Sequence, residues 1–348
     1  MDEAEHQTYG EIEDECNEPP PRMQGQINSN ERTNRDEAEG ADVRFHWTPV
    51  KGWDKFARGM KVRARNVLNW KGWGPIPIPE TAPGTPAQWI LPTSDATAVQ
   101  IAKRQDELRQ AGWRVLTCDP EVVLALGNKS LLRGYAEKLG LLDCLPRYYN
   151  SKEEVATFPC ILKSSSGEFG KDCFIIKSQQ ELDKHVPDTL DAEKWTLQEL
   201  VYGSTEFSVT LLAVKGRLLN VLGTKYEYAS DCYVYPYVKK LGKQPCDIPS
   251  EHLEVMATFL KEYTGLCNFN YKVRTGAEQG KMAIFEVNTR IGGDLSCDVP
   301  RDLARTVFEQ IEDLSDSDLG ILPQRSPASP SPGLLEGRWE ERWPGRAR

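Results

Sequence analysis

The sequence predicts an α+β fold, and three features of the chain carry this prediction. Strand-like and helical segments alternate from Trp89 to about Gly140, an order that favours a parallel sheet. Longer strand-like runs follow Tyr148, with a helix expected near 251–264. A small, glycine-containing loop at 164–171 separates two of these runs. With 348 residues, the chain is long enough for two domains.

The elements before Tyr148 are short. Residues 89–92 form an apolar run that predicts the first strand, and Asp95 is placed to cap a helix through Leu108 and Ala111. Residues 113–116 predict the next strand, and a helix is expected from about Lys129 to near Gly140. The strands expected after Tyr148 are 158–163, 173–176, 196–201, 207–212, 268–273 and 281–285.

The net charge of −9 belongs to the N-terminal tail. Residues 1–42 contain 13 acidic and 3 basic residues, a charge of −10, which leaves +1 for the rest of the chain. This tail and the Pro/Ser/Arg-rich segment from about Ile321 are expected to be disordered. Nothing in this charge distribution requires nucleic acid as a partner. No apolar run is long enough to cross a bilayer, and the nine scattered cysteines are typical of reduced thiols in a cytoplasmic protein.

The segment 45–73 is basic and aromatic, with four tryptophans among its lysines and arginines. One interpretation is contact with a membrane surface or with nucleic acid. The other, which we favour, is a helix that lies on the domain with its basic face in water.

The motif EVNTRIGG at 286–293 follows the strand-like run 281–285. Because side chains alternate along a strand, Glu286 and Asn288 are expected on one face, and Phe285 and Val287 on the other, in a core. A carboxylate and an amide oxygen on one face suit Mg²⁺ that carries nucleotide phosphates. A half-buried strand that ends in a turn is the alternative.

The end of the same motif is also suited to anions. Arg290 has a planar donor fork that matches a phosphate or a carboxylate, and Gly292 and Gly293 permit close backbone approach or a positive φ. Asn270, on the preceding strand and joined through a hairpin at 274–280, is placed to offer a third oxygen to the metal. A polar residue on a half-exposed strand is the alternative for Asn270.

Further candidate ligands lie in the middle of the chain. Lys163 ends a short strand and is followed by the loop SSSGEFGK at 164–171, whose N–H groups can lie over phosphates. A plain hairpin is the alternative, since the Walker pattern is absent. The extended segment Glu199-Leu200-Val201 can pair its backbone with the edge of an adenine, and Glu206 is placed to take ribose hydroxyls.

In this order the motifs resemble the ATP-grasp superfamily over roughly residues 89–312. Residues 159–163 and 265–270 are similar to segments of the carbamoyl phosphate synthetase large subunit, and residues 288–294 are similar to ATP-grasp amino-acid ligases. The resemblance implies an α+β ATP-grasp fold, in which two α/β lobes clasp ATP. A truncated α/β segment precedes the lobes, and the termini are disordered.

The resemblance also implies a role for each candidate residue. Arg290 and Lys163 would be catalytic, and Glu286, Asn288 and Asn270 would bind Mg²⁺, with Mn²⁺ as an alternative metal. ATP would be bound by Lys129, Lys163, Ser166, Gly167, Gly170, Glu199, Leu200, Val201 and Glu206. Asn270 stands where the family usually has Gln, Asp or Glu, and a neutral amide oxygen can still ligate a metal.

The implied domain organisation consists of a disordered acidic tail (1–43), a basic and aromatic lead-in with the truncated α/β segment (44–145), a lid lobe (146–200), a C-terminal lobe with the metal site (201–316) and a disordered tail (317–348). The implied function is that of a Mg·ATP-dependent, ADP-releasing carboxylate–amine ligase. It would activate a small-molecule carboxylate, with amino acids among the candidates, as an acyl phosphate for attack by an amine or another nucleophile. A non-catalytic ATP-binding module and a small-molecule kinase are the alternatives. The substrates and the oligomeric state stay open.

Overall fold

A computed structural model of the chain describes residues 67–70, 75–79, 87–165, 172–186 and 190–319. Within these ranges, the side chains of 67–70, 277, 296 and 297 are not described. The whole N-terminal tail, most of the C-terminal tail, most of the basic and aromatic segment, and the loop 166–171 therefore lie outside the described residues.

In the described chain, short strands alternate with helices at first, and longer strands follow. Its helices are α1 (Asp95–Lys103), α2 (Gln105–Gln110), α3 (Pro120–Gly127), α4 (Lys129–Leu139), α5 (Gln179–His185), α6 (Ser250–Phe259), α7 (Gly293–Cys297) and α8 (Arg301–Asp313). Its strands are β1 (Val67–Trp70), β2 (Trp89–Pro92), β3 (Arg114–Val115), β4 (Tyr148–Tyr149), β5 (Cys160–Ser164), β6 (Cys173–Ile176), β7 (Trp195–Glu199), β8 (Thr205–Val214), β9 (Arg217–Tyr228), β10 (Lys240–Cys246), β11 (Thr264–Val273) and β12 (Met282–Asn288).

The sequence predicted the wrong N-cap residue for α1 but the correct start and end for α4. The predicted cap Asp95 is the first residue of α1, and the cap is Ser94, whose hydroxyl accepts from the N–H of Thr97. The carboxylate of Asp95 is instead used at the candidate site described below. The helix α4 begins and ends where predicted: the side chain of Asn128 caps its first turn, and Gly140 ends it with a φ of 70°.

The first sheet is parallel, as the strand–helix order predicted. Its described strands lie in the order β1-β2-β3, and β2 pairs in parallel with both neighbours. The helices α1 and α2 pack on it through a small core that includes Ile90, Ile101, Leu108 and Val115.

A second, antiparallel sheet, the lid sheet, has its described strands in the order β4-β7-β5-β6. Its apolar side chains pack with α5 around Leu162, Leu182 and Leu197. Lys163 lies on β5 directly opposite Cys173 of β6, at the edge of the loop that follows.

A third sheet, the floor sheet, has its described strands in the order β10-β9-β8-β11-β12, and neighbouring strands are antiparallel. One face carries a core shared with α3, α4 and α6, in which Leu211, Phe259 and Phe269 are fully buried. Because side chains alternate between the faces of a strand, the other face of β8 and β11 presents Ser208, Asn268 and other polar residues.

The pairing register aligns polar residues from separate strands on this second face. Asn270 lies between Ser208 of β8 and Glu286 of β12, and Asn268 lies opposite Asn288. Residues that are directly paired in an antiparallel sheet point to the same face. The register therefore brings the three predicted metal ligands, Asn270, Glu286 and Asn288, together from two strands.

The register also corrects one prediction. Tyr271 pairs with Ile284, while Asn270 pairs with Glu286, so Phe285 is an extra residue in a β-bulge of β12. Val287 lies in the core as predicted, but Phe285 does not, and its ring lies 5.3 Å from Nζ of Lys163. Simple alternation fails at Phe285 because a bulge turns two successive side chains towards one face.

The last described segments, α8 and residues 314–319, lie towards the C-terminal end of the chain. The helix α8 packs against β9, where Asn220 donates to Thr306 and Gln310. Residues 314–319 belong to a separate compact unit, in which the backbone and the hydroxyl of Ser315 bind Asp318. Within the described residues, none of the helices combines the length and the apolar character required to cross a bilayer.

Candidate active site

The candidate site lies between the lid sheet and the polar face of the floor sheet, and its centre is the oxygen cluster of Glu286, Asn270 and Asn288. Nδ2 of Asn270 lies 3.4 Å from Oε2 of Glu286 and 3.1 Å from Oδ1 of Asn268. The three predicted ligands thus supply one carboxylate and two amide groups within one small region.

This donor set fits Mg²⁺ bound together with a nucleotide. Mg²⁺ prefers oxygen ligands in an octahedral arrangement and is usually held by one or two carboxylates together with substrate phosphates and water. Glu286 supplies the carboxylate, and the side-chain amides of Asn270 and Asn288 can turn an oxygen towards a cation. Among the described residues, no group of three or more His, Cys, Asp or Glu side chains is placed to hold a metal.

Two lysines approach the oxygen cluster from separate elements. Nζ of Lys129, the first residue of α4, lies 2.9 Å from Oε1 of Glu286. Burial opposes the charged forms of both groups, but their attraction outweighs it, so the pKa of Lys129 is raised and that of Glu286 is lowered. Burial also lowers the pKa of Lys163, and the positive charge of Lys129 contributes to this shift. Two cations near one carboxylate leave a positive excess that suits phosphate groups.

Arg290 is fixed at the other end of the cluster. Its guanidinium donates to Oδ1 of Asn288 at 3.1 Å and to the carbonyl of Ile291 at 3.0 Å, and its Nε lies 3.5 Å from Asp95. Asp95 also accepts from the N–H and the hydroxyl of Thr289. Burial raises the pKa of Asp95, and the charge of Arg290 opposes this rise. The first helix of the described residues, α1, therefore holds the arginine in place.

A buried polar network supports the turn that follows Arg290. Asp294 is 3% exposed and accepts from the hydroxyl of Thr210 at 3.0 Å and from Nδ2 of Asn268 at 3.1 Å. A Cβ added at Gly292 would lie 2.2 Å from Oδ1 of Asp294 and 2.6 Å from Asn268. The close approach expected at Gly292 is therefore present, whereas Gly293 has open space around it, and neither glycine has a positive φ.

The segment predicted to hold adenine is anchored by side chains from the floor sheet. The carboxylate of Glu199 accepts from Arg274 and from the N–H of Arg147, and these contacts lower its pKa although burial opposes the shift. Leu200 is buried. The carbonyl of Val201 accepts from Nζ of Lys272 at 3.1 Å. Side-chain bonds thus hold both ends of the segment.

The predicted ribose ligand, Glu206, faces the same region. Its Oε2 accepts from the hydroxyl of Tyr233 at 3.0 Å. Burial raises the pKa of Glu206 to about 7, against the opposing effects of the Tyr233 bond and the charge of Lys272. Burial lowers the pKa of Lys272 to about 8, while Glu206 opposes that shift. An acid and a base that titrate near neutrality therefore lie at this end of the site.

A cavity of about 460 Å³ opens beside Tyr233, between β6 of the lid sheet and the loop that joins β9 to β10. This volume falls in the range of small-molecule sites. Its lining residues are Cys173, Ile175, Lys177, Ser230, Cys232, Tyr233, Val234, Tyr237 and Val238.

The structure thus brings most of the predicted site residues into one region. Contacts join Lys129, Asn270, Glu286, Asn288 and Arg290, while Lys163 and Glu206 interact electrostatically with Glu286. Glu199, Leu200 and Val201 flank this group. Ser166, Gly167 and Gly170 lie outside the described residues, so their placement over phosphates stays a prediction. The roles of all these residues are likewise predictions.

Sequence reasoning missed Lys272, Arg274 and Asp95 as site residues. The sequence pattern did indicate the first two, because every second residue along β11 and just beyond it is polar and such residues share one face. These residues are Asn268, Asn270, Lys272 and Arg274. Asp95 could not be found in this way, since it is 195 positions before Arg290 in the chain and meets it only through the packing of α1.

Comparisons with known proteins bear on the fold. No family model matches the chain, and the search of curated proteins finds no match. Among solved structures, an L-amino acid ligase from Bacillus licheniformis matches with a TM-score of 0.44 and 17% identity, over 60% of this chain and 50% of that one. A D-alanine–D-alanine ligase from Bacillus anthracis matches with a TM-score of 0.47 and 12% identity, over 76% and 95%. The ATP-grasp ligase PsnB matches with a TM-score of 0.40 and 14% identity, over 62% and 70%.

The described elements form an α+β fold, as the sequence predicted. These three solved structures are described as ligases, one of them as an ATP-grasp ligase. The chain spans only about half the length of the L-amino acid ligase.

Proposed function

We propose that the chain binds Mg·ATP between the lid sheet and the floor sheet and uses it to activate a carboxylate as an acyl phosphate. The observation that carries this proposal is the convergence of the Glu286–Asn270–Asn288 cluster with Lys129, Lys163 and Arg290. Oxygen ligands for a hard cation and three positively charged side chains meet in one cleft. Such a set suits the transfer of a phosphoryl group.

The proposed reaction assigns a task to each group. An oxygen of the substrate carboxylate attacks the γ-phosphorus, the bond from this phosphorus to the bridging oxygen breaks, and ADP leaves. Lys129 and Lys163 offset negative charge on the phosphates, and Arg290 orients the carboxylate or the γ-phosphate through its planar fork. Mg²⁺ held by Glu286, Asn270 and Asn288 would neutralise part of the phosphate charge. An amine or another nucleophile then displaces phosphate from the acyl group.

The first test concerns Mg²⁺-dependent nucleotide binding. Titration calorimetry of ATP with and without Mg²⁺ should show that wild type binds more tightly with the metal. Glu286→Ala should lose this dependence, because it removes the carboxylate of the cluster. Glu227→Ala is the matched control, since this residue also lies on the floor sheet and pairs with Lys225 away from the cluster. Unchanged Mg²⁺ dependence in Glu286→Ala would show that the metal site is misplaced.

The second test concerns the acyl phosphate. Candidate acids, amino acids first, are incubated with Mg·ATP and hydroxylamine, and the hydroxamate and ADP are measured. The correct acid should give a hydroxamate with equivalent ADP, and Arg290→Ala should suppress both. Release of AMP and pyrophosphate would point to an adenylate and contradict the mechanism.

One observation favours a second candidate function, a non-catalytic ATP-binding module. The cluster contains a single carboxylate, because the residue paired with Glu286 is the amide Asn270. A module would bind Mg·ATP and release no ADP with any acid. Asn270→Asp distinguishes the two candidates further: it should tighten Mg·ATP binding in both, but it should change turnover only in a ligase.

A further inference from the structure

Lys272 is a buried cation that the proposed reaction does not use. Its side chain is 5% exposed, and its Nζ lies 3.1 Å from the carbonyl oxygen of Val201 and 4.0 Å from the centroid of the Tyr233 ring. Burying an ammonium group is unfavourable unless it is compensated. The carbonyl and the aromatic face supply this compensation, so the ammonium is held at a defined place.

The position of Lys272 along β11 relates it to the oxygen cluster. Because it follows Asn270 by two residues, it lies on the same face and about 7 Å further along the strand. It therefore lies on the side of the cluster that leads towards the Glu199–Val201 segment. A ligand with phosphates at Asn270 and Glu286 would have its next portion over Lys272.

Lys272 is also one link in a chain of contacts that crosses four elements. The carbonyl of Val201 accepts from Lys272, the ammonium of Lys272 lies over Tyr233, and the hydroxyl of Tyr233 donates to Glu206. The chain thus joins the segment after β7, strand β11, the loop after β9 and strand β8. A simple ion pair with Glu206 would not explain why the ammonium points at a backbone carbonyl.

On the basis of the proposed nucleotide site, we propose that Lys272 is a positioning residue for the purine base. Its bond to the carbonyl of Val201 keeps Glu199–Val201 extended along the floor sheet, so that backbone N–H and C=O groups stay available to a base edge. A lysine ammonium has three donors, and one bond to Val201 leaves others for acceptor nitrogens of a purine. Lys272 should therefore contribute to binding of the base and not of the phosphates.

The experiment compares two ligands that differ in the nucleoside. Titration calorimetry with Mg·ATP and with Mg·tripolyphosphate is performed on the full chain, for wild type, Lys272→Met, Lys272→Arg and Lys225→Met. Methionine keeps an unbranched apolar stem beside Tyr233 and removes the ammonium, whereas arginine keeps the charge and the donors. Lys225 pairs with Glu227 on β9, which β8 separates from β11, and it controls for the loss of one lysine.

The expected result is a selective loss. Lys272→Met should weaken Mg·ATP binding at least tenfold and leave Mg·tripolyphosphate within about twofold of wild type. Lys272→Arg should recover part of the ATP affinity, and Lys225→Met should change neither ligand.

Four results would overturn the inference in different ways. Equal weakening of both ligands by Lys272→Met, together with a lower Tm, would show that Lys272 only supports the fold. Unchanged ATP affinity would show that it has no role at the base. A wild-type chain that binds tripolyphosphate as tightly as ATP would have no base site, although its phosphate site would stand. A wild-type chain that binds neither ligand would refute the proposed function as well.

Discussion

Replacing Asp294 by asparagine should change how the stability of the protein depends on pH. Asp294 is buried beneath the turn at Gly292 and accepts from Thr210 and Asn268. Burial raises its pKa from the ordinary value of 3.8 to about 6 and the charge of Asp298 adds to the rise, although hydrogen bonds from the N–H of Leu295 and the hydroxyls of Thr210 and Ser208 oppose it. In the unfolded chain the same carboxyl group titrates near its ordinary value of 3.8.

The sign and the size of the effect follow from this difference in pKa. Between about pH 4 and pH 6, the folded protein holds a proton that the unfolded chain has released. The stability linked to this proton is fully present below pH 3.8 and is lost as the pH rises through about 6. At about 1.4 kcal/mol per pKa unit, the loss is about 3 kcal/mol. An asparagine side chain cannot titrate, so the free energy of unfolding of Asp294→Asn, relative to wild type, should rise by up to this amount between pH 4 and pH 7.

Urea unfolding of both proteins at pH 4, 5, 6 and 7 measures this difference, and taking the difference removes the contributions of other titrating groups. Thr210→Val provides a second perturbation. It removes a hydroxyl that favours the ionised form of Asp294, so the decline of its stability should extend to higher pH than in wild type. Parallel profiles for wild type and Asp294→Asn would refute the reasoning, because they would mean that the carboxyl group is not perturbed by folding.

Two further predictions concern the two ends of the site. Burial raises the pKa of Glu206 to about 7, so its carboxylate forms as the pH rises through 7, and Mg·ATP affinity should increase between pH 6 and pH 8. Calorimetry on Glu206→Gln should show a smaller increase, and an equal increase would exclude Glu206 as a nucleotide ligand. Gly292→Ala should reduce the free energy of unfolding by about 1–3 kcal/mol because its Cβ meets Asp294 and Asn268, whereas Gly293→Ala, which has open space, should be neutral. Equal stabilities in urea unfolding would show that the turn relaxes freely.

The sequence was sufficient to predict the elements that local patterns determine. Apolar runs placed β5, β6 and three floor-sheet strands, β8, β11 and β12, whereas β9 and β10 were not predicted, and the spacing of Glu286 and Asn288 predicted their common face. Asn128 and Gly140 are residue types with a known role at helix ends, and α4 begins and ends beside them. These predictions succeeded because each depends on a few neighbouring residues.

The parts that the sequence did not predict depend on contacts between distant segments. The pairing of Asp95 with Arg290 requires α1 to pack beside the end of β12. The bond between Lys272 and Val201 requires β11 to lie next to the segment after β7. Local periodicity does not report on such packing, and it also fails at Phe285, where the strand departs from regular alternation.

The extra residue in β12 divides this strand into two segments with opposite parity. Met282 and Ile284 reach the core from even-numbered positions, whereas Val287 does so from an odd-numbered one. A chain that lacked Phe285 would alternate regularly through the same pairing, with Met282, Ile284 and Val287 in the core and Glu286 and Asn288 on the polar face. A one-residue deletion at Phe285 should therefore keep the oxygen cluster on the polar face, and its cost should be the loss of the aromatic ring beside Lys163 and of the local bend in the strand.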